Sequence, residues 1–420
     1  MKGVAIIGGG FAGMAAAERL GRAGISCSIF EAESTLGGLG SSIQVAGQPI
    51  ERYYHHIKPQ DSFLIDKIKT SGMDQDLVWK KTDMAFYVDG RLYPFSRPVD
   101  LLYYTPLNLI DKLQFVIGML GVRKGNPGQL KDLNAEQWAI KNWNPTIYHS
   151  MMKPMLFNKF GISPEQVSSA FFHGRIKNLL EAKSRTGGKT QFGYLLNSLG
   201  PLVDHYQNEL SFNCRILTST PVERIDRINE GYRILTENGE FNADWVINTI
   251  PIPRFEAIPK NFQVLINIDY QASICAIFAI NERIEIPYWI NILDKTINCR
   301  LMVNQSKLAD YPFSMIYCAN YVNPDDQMMK MSDEKIFQLY CKDLEAVAGK
   351  FTCRDVKISR TRYATPVFDI HFPERMSHLR ERMKHIIFAG MVDIYPGDRT
   401  VSSVMASGVR AADTIINTLN

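Results

Sequence analysis

Val4-Ala5-Ile6-Ile7-Gly8-Gly9-Gly10-Phe11-Ala12-Gly13 decides how this chain is read. An apolar run meets glycines at 8, 10 and 13. A helical pattern from Met14 to Ala23 follows and stops at Gly24. A second apolar run, Cys27-Ser28-Ile29-Phe30, ends at Glu31. Strand, tight turn, helix, strand and acid in that order form the fingerprint of a dinucleotide-binding βαβ unit. Gly8 permits the turn. Gly10 lets backbone approach a pyrophosphate, and Gly13 lets helix and strand pack closely. The helix start presents unpaired N–H groups and a positive dipole end to phosphate. Glu31, 18 residues beyond Gly13, stands where a carboxylate can accept from a ribose hydroxyl.

Working outward, Ser34-Thr35-Leu36-Gly37-Gly38-Leu39-Gly40-Ser41-Ser42 extends small residues along the path a cofactor would take. A nicotinamide enzyme usually goes straight into another helix there, so this loop points to FAD rather than NAD. At the other end, Lys384 to Gly390 reads as a buried strand ending in glycine. A turn with Pro396-Gly397 follows, then a helix from Thr400 to Leu419 with Gly408, Ala411 and Ala412 suited to close packing.

These motifs resemble the flavoprotein superfamily of flavin-containing amine oxidases, protoporphyrinogen oxidase, phytoene desaturases and UDP-galactopyranose mutase. The carrying residues are the glycines at 8, 10 and 13, Glu31-Ala32, Gly37-Gly38 and the C-terminal strand, turn and helix. The resemblance implies an α/β fold: a Rossmann-type FAD-binding domain interrupted by a substrate domain with helical and β-sheet parts. It places the FAD segments at 1–85, 198–258 and 361–420. The substrate segments fall at 86–197 (mostly helical) and 259–360 (β-sheet). It places cofactor contacts on Gly8, Gly10, Phe11, Ala12, Gly13, Glu31 and Ala32. Further contacts fall on Gly38, Leu39, Gly40, Ser41, Val222, Gly390, Asp398, Thr400 and Val401. The last helix would aim its positive end at the flavin's pyrimidine edge. One departure argues against a close amine-oxidase match: Met391 follows the Ala389-Gly390 pair, and the acid waits until Asp393.

The middle of the chain resembles the superfamily more loosely. Glu51-Arg52-Tyr53-Tyr54-His55-His56-Ile57 reads as a strand, in which adjacent histidines face opposite sides, so at most one, His55 or His56, should face a given cavity. These two are the catalytic candidates. A metal pair lacks a third ligand. Met84 to Pro94 reads as a hairpin turning at Asp89-Gly90. Leu107 to Val122 carries apolar residues at 109, 110, 113, 116, 117 and 120, helical spacing that is read as core packing. The preceding Leu101-Leu102-Tyr103-Tyr104 and the following Arg123-Lys124 leave a membrane-surface contact as the alternative. Met152 to Gly161 resembles the superfamily's helical insertion. Phe192 to Gln207 reads as a helix. Gly188-Lys189-Thr190 is no P-loop, because Lys183 stands where a glycine is required. Strands are expected across Asn213–Ile250 and 264–320. The latter is rich in Tyr, Trp and Asn, and a sheet there would wall a substrate site. Ser332 caps a helix reaching Ala348.

Composition narrows the function classes. A net charge of +4 without a dense Lys/Arg block does not argue for nucleic acid, and suits an anionic ligand. The cysteines number 7, an odd count with no CxxC pair, so a reducing cytosol is the expected compartment. The apolar start is not read as a signal peptide, since the glycine turn breaks it and Glu18-Arg19 follow. The longest apolar run, Ala272 to Ile280, falls short of the roughly 18 residues a spanning helix needs. The leading expectation is an FAD-dependent oxidoreductase transferring a hydride from a small organic substrate to flavin N5. The alternative is a UDP-galactopyranose mutase-like isomerase of nucleotide-sugars, supported by the Tyr-His-His stretch and Tyr93-Pro94-Phe95. A protein that merely holds FAD is a third reading. Substrate, electron acceptor and oligomeric state are not legible.

Overall fold

The computed structural model describes residues 3–126, 130, 133–161, 163–185, 190–210, 212, 214–263 and 266–419. Its first layer is a five-stranded parallel sheet. The order is Ile386–Phe388, Trp245–Asn248, Val4–Ile7, Cys27–Phe30 and Cys214–Leu217. Val4 lies opposite Trp245 on one side and Cys27 on the other. The strands are short and apolar because helices cover them, as parallel sheets require. Helix Phe11–Arg22 packs on this sheet, and helix Val401–Leu419 packs on that helix. The contact is close because a Cβ at Gly408 would sit 2.1 Å from the Ala12 carbonyl oxygen. The two ends of the chain thus seal one another.

A second, seven-stranded sheet runs Cys353–Pro366, Tyr270–Ile280, Ser314–Val322, Leu301–Asn304, Trp289–Ile292, Met84–Val88 and Arg91–Pro94. It is antiparallel except where Trp289–Ile292 meets Met84–Val88. Asp89 and Gly90 both take positive φ, as the expected two-residue hairpin turn requires. A three-stranded antiparallel sheet, 222–243, flanks the first layer, with its second hairpin turning at Glu237-Asn238. The helices of the middle region gather between residues 98 and 185.

Several expectations need correction. Strand Cys353–Pro366 was not anticipated. Its basic and polar residues hide the alternation, and it pairs with Tyr270–Ile280 over nearly its whole length. Residues 85 and 360 lie within strands Met84–Val88 and Cys353–Pro366, both of the seven-stranded sheet. Phe192 does not begin a helix. Gln191–Leu195 is a strand paired with Leu77–Lys81, and the helix starts at Gly200. The ring of Trp79 packs over Gly193, where a Cβ would lie 3.1 Å from it. Gly188 and Lys189 lie outside the described residues.

The reading of residues 107–122 as core is overturned. The helix runs Leu109–Lys124, capped by the Asn108 side chain, which accepts from the Asp111 N–H at 2.9 Å. Its inner face is Asp111, Phe115, Gly118 and Val122. At Gly118 a Cβ would meet the Trp143 indole at 2.2 Å, so the helix seats against that ring. The opposite face stays in the open: Leu109 is 66% exposed, Ile110 68%, Leu113 59% and Ile117 67%. Leu102 and Tyr103 extend this apolar face. The periodic positions are real, but the core already has its partners on the other side.

Candidate active site

Two adjoining cavities open between the sheets. The larger, about 530 Å³, runs from the glycine turn to the start of helix Val401–Leu419. Its wall includes Gly8, Gly10, Phe11, Ala12, Glu31, Gly38, Leu39, Gly40, Ser41, Gly390, Thr400 and Val401. Gly13 stands behind it, where a Cβ would meet the Gly8 carbonyl oxygen at 2.1 Å. Asp398 lines the smaller cavity instead. Ala32 is exposed past Glu31, Val222 begins a strand of the three-stranded sheet, and neither lines a cavity. Residues not anticipated from sequence also form the large wall: Arg52, Thr249, Arg254, Arg360, Thr361 and Tyr363. Arg52 and Thr249 follow strand ends, Arg254 sits on the short helix Ile252–Glu256, and the other three come from the unforeseen strand 353–366, whose contribution depends on pairing across the chain.

The large cavity fits FAD on features of its own. Helix Phe11–Arg22 starts at Gly10 with no side-chain cap, leaving first-turn N–H groups for an anion. A Cβ at Gly10 would have only the Gly38 Cα near it, at 3.9 Å, so that face of the turn is open. The Glu31 carboxylate accepts from the Gly9 N–H at 2.7 Å and the Glu33 N–H at 2.8 Å. These bonds hold it at the end of its strand with acceptor capacity left. The Ser41 hydroxyl is buried and lacks a hydrogen-bond partner, a polar atom awaiting a ligand.

The smaller cavity, about 240 Å³, shares with the larger one Leu39, Tyr53, His55, Thr361, Ala364, Met391, Arg399, Thr400 and Val401. Its own walls bring in Tyr54, His56, Lys58, Lys159, Arg175, Trp289, Asn291, Tyr321 and Asp398. The expectation about the histidines is corrected. Arg52 to His56 is not a strand, so the alternation does not apply, and both His55 and His56 line this cavity. His55 Nδ1 lies 2.6 Å from the Tyr53 carbonyl oxygen, and His56 Nδ1 lies 3.1 Å from the Tyr288 hydroxyl. Burial lowers the pKa of His55. Burial, then Lys58 and Lys159, pushes His56 well below the ordinary imidazole value. Both shifts favour the neutral imidazole. Of the Tyr, Trp and Asn cluster, Trp289, Asn291 and Tyr321 reach the cavity. Asn304 and Asn320 instead bond backbone carbonyls. Tyr93-Pro94-Phe95 lines neither cavity: Tyr93 packs on Tyr104 and Phe95 on Phe86.

Charge gathers on this smaller cavity. Asp398 accepts from Arg175 at 2.7 Å and from Lys58. Burial alone would push its carboxyl up, but Arg175, Lys58 and Lys159 hold it far below the usual carboxylate range. The sequence shows no pattern linking these groups. Lys58 is in a loop, Lys159 and Arg175 are on two helices, and Asp398-Arg399 lie in the last turn. Asp393, the displaced acid, faces away into ion pairs with Arg380 and Arg410.

Comparison with known proteins gives the family. The chain matches the family described as flavin containing amine oxidoreductase over residues 11–416. It is 26% identical over 190 residues to the chloroplastic protoporphyrinogen oxidase of Oryza sativa subsp. japonica, covering 44% of this chain and 34% of that one. It is 25% identical over 266 residues to amine oxidase B of Sus scrofa, covering 59% of this chain and 50% of that one. The chain thus matches about half, or less, of these relatives' length. Among solved structures, a protein from Exiguobacterium sp. 255-15 titled as a protoporphyrinogen oxidase superposes with TM-score 0.82 at 20% identity, covering 99% of both chains. A reduced UDP-galactopyranose mutase gives 0.78 at 15% identity, covering 100% of this chain and 96% of that one. This chain belongs to the flavin-containing amine oxidoreductase family, and FAD is its cofactor.

Proposed function

We propose that this protein is an FAD-dependent oxidoreductase acting on a small organic substrate held in the 240 Å³ cavity. The observation that carries this reading is the shared wall. Leu39, Tyr53, His55, Met391, Arg399, Thr400 and Val401 face both the cofactor cleft and the smaller cavity, so two occupants would meet there. Bound FAD would supply the hydride acceptor. The chain's own residues would do the rest. The glycine turn and the uncapped helix start would hold the pyrophosphate, and Glu31 the ribose. Ser41, Gly390 and the Thr400–Val401 helix start would border the flavin. That helix start favours negative charge arriving at the shared wall. His55 and His56 would face the substrate, with burial disfavouring their charged forms. The apolar and aromatic lining limits water.

Anaerobic spectroscopy tests the proposal. A member of a panel of amines, porphyrinogens and polyenes, or another reductant of that kind, should bleach the yellow holoprotein. An acceptor such as oxygen should restore the colour. The cations around the smaller cavity favour a second reading, a flavin-dependent isomerase of nucleotide-sugars. Turnover of a nucleotide-sugar only after dithionite reduction, with no bleaching by substrate, would replace the first reading by the second.

The exposed face of helix Leu109–Lys124 supports a peripheral membrane contact. Leu109, Ile110, Leu113, Val116, Ile117 and Leu120 stand clear of the protein with exposed Arg123 and Lys124 at one end, while Asp100 and Asp111 are buried. An apolar face with a basic edge suits anionic lipid headgroups. No helix among the described residues is long and apolar enough to cross a membrane. Flotation with anionic vesicles, but not with neutral ones, is the expected result. Failure to float with either would dismiss the contact.

A further inference from the structure

Lys159 is placed unlike any other lysine among the described residues. It sits near the end of helix Lys153–Phe160, which stops at Gly161 with φ +58. A Cβ there would lie 2.6 Å from the Tyr321 backbone, so only glycine lets the helix end press against that strand. This contact drives the Lys159 side chain into the smaller cavity. Its Nζ lies 5.6 Å from the Tyr54 ring centroid, 5.4 Å from Trp289 and 5.3 Å from Tyr321. Its one hydrogen bond is a long one, donated to the Tyr54 hydroxyl at 3.4 Å. No carboxylate among the described residues lies within ion-pair distance of it.

The rest of the wall gives this amine its role. Asp398 is the one carboxylate lining the cavity among the described residues, and Lys58 and Arg175 already meet it. Arg399 lies over the Tyr321 ring and donates to Gln271 at 3.1 Å. The cavity therefore holds more cationic groups than its carboxylate balances. A cationic amine entering it would meet Lys58, Arg175 and Arg399. An anion would meet the same groups with favourable sign.

We propose that the substrate of this cavity carries an anionic group, carboxylate or phosphate, and that Lys159 receives it, with Arg175 and Arg399 alongside. The proposal rests on the assignment of this cavity as the substrate site and sharpens it from "small organic" to "anionic". Burial, then Arg175 and Arg399, pushes the Lys159 amine well below the ordinary lysine value, against the pull of Asp398. The other groups facing it are Lys58, the two histidines, and the hydroxyls of Tyr54 and Tyr321. An arriving anion reverses the balance and raises the amine's proton affinity. At a pH where the free amine has lost its proton, binding takes one up from solvent, and affinity falls as pH rises.

The test uses the FAD-loaded protein, in which the pyrophosphate groove is filled. Inorganic pyrophosphate and succinate are the anionic probes and benzylamine the cationic one. Each is titrated calorimetrically in two buffers of different ionisation heat. The expected result is saturable anion binding with proton uptake, and no saturable binding of benzylamine. Lys159→Met, which fills the aromatic cage without charge, should weaken anion binding at least tenfold and abolish the uptake. Lys159→Arg should keep the binding and lose its pH dependence. The stronger of the two anions tells phosphate from carboxylate. Absence of anion binding, preferred binding of benzylamine, or unchanged binding by Lys159→Met would each overturn the proposal. Because no turnover is measured, these outcomes leave the oxidoreductase reading to be judged separately by substrate bleaching.

Discussion

Helix Phe11–Arg22 and helix Leu109–Lys124 both look in sequence like pieces of a core, yet the molecule treats them oppositely. In the first, Ala12, Ala15, Ala16 and Ala17 are buried, and Gly408 of the last helix presses on the Ala12 backbone. In the second, Phe115, Gly118 and Val122 are buried while Leu109, Ile110, Leu113 and Ile117 face outward. Small residues allow backbones to approach until nothing else fits, so the first helix is covered by its own chain. The second is covered along its Gly118 side, and the large residues of its opposite face have no partner among the described residues. An apolar helix face left bare is suited to an apolar surrounding. The difference teaches that apolar spacing says a face is to be covered, not by what.

The largest effect should come from spoiling the sealed side. Gly408→Val puts branched bulk where the Ala12 carbonyl oxygen is 2.1 Å away. We expect a loss of about 3 kcal/mol in urea unfolding, the upper range for overpacking. Wild-type stability in this variant would show that the two chain ends are not the tight seam described. Gly10→Val acts on the open face of the same region. Its Cβ has protein only at 3.9 Å, so the fold should persist while FAD loading is lost. A normal flavin-to-protein absorbance ratio would remove the pyrophosphate from this turn.

Next in size is Glu31→Gln. It weakens an acceptor that holds the Gly9 N–H and reaches the proposed ribose, and FAD affinity should drop by about 1–3 kcal/mol. An unchanged FAD dissociation constant would place the ribose elsewhere. The smallest effect on stability belongs to the open helix. Leu113→Glu with Ile117→Glu should change unfolding free energy by no more than about 0.5 kcal/mol, the usual surface value. The same pair should abolish flotation with anionic vesicles. A loss of several kcal/mol would mean that this face is covered within the protein and would erase the contrast between the two helices.

Much of the cofactor cleft was legible in sequence because its determinants are local. A strand running into glycines, a helix start and an acid at a set interval are enforced by backbone geometry within about thirty residues. Gly8, Gly10, Glu31, Gly38 and Ser41 therefore fall on one wall. The same logic failed at Tyr53 to His56. Two-residue alternation presumes a strand, and the segment is irregular, so both histidines turn to one cavity.

Sequence alone thus determined the dinucleotide-binding βαβ unit, the FAD-type small-residue loop and the strand-turn-helix that closes the chain. Each is a short-range pattern whose sterics and dipoles act through neighbouring peptides. Only the tertiary structure decided that strand 353–366 borders the cleft, that helix 109–124 bares an apolar face, and that Lys58, Lys159, Arg175, Asp398 and Arg399 converge. The physical reason is that burial and Coulomb interaction depend on distance in space. No spacing along the chain encodes that lysine 159 and arginine 399 share one small cavity, because Gly161 and the Tyr321 strand must first bring them there.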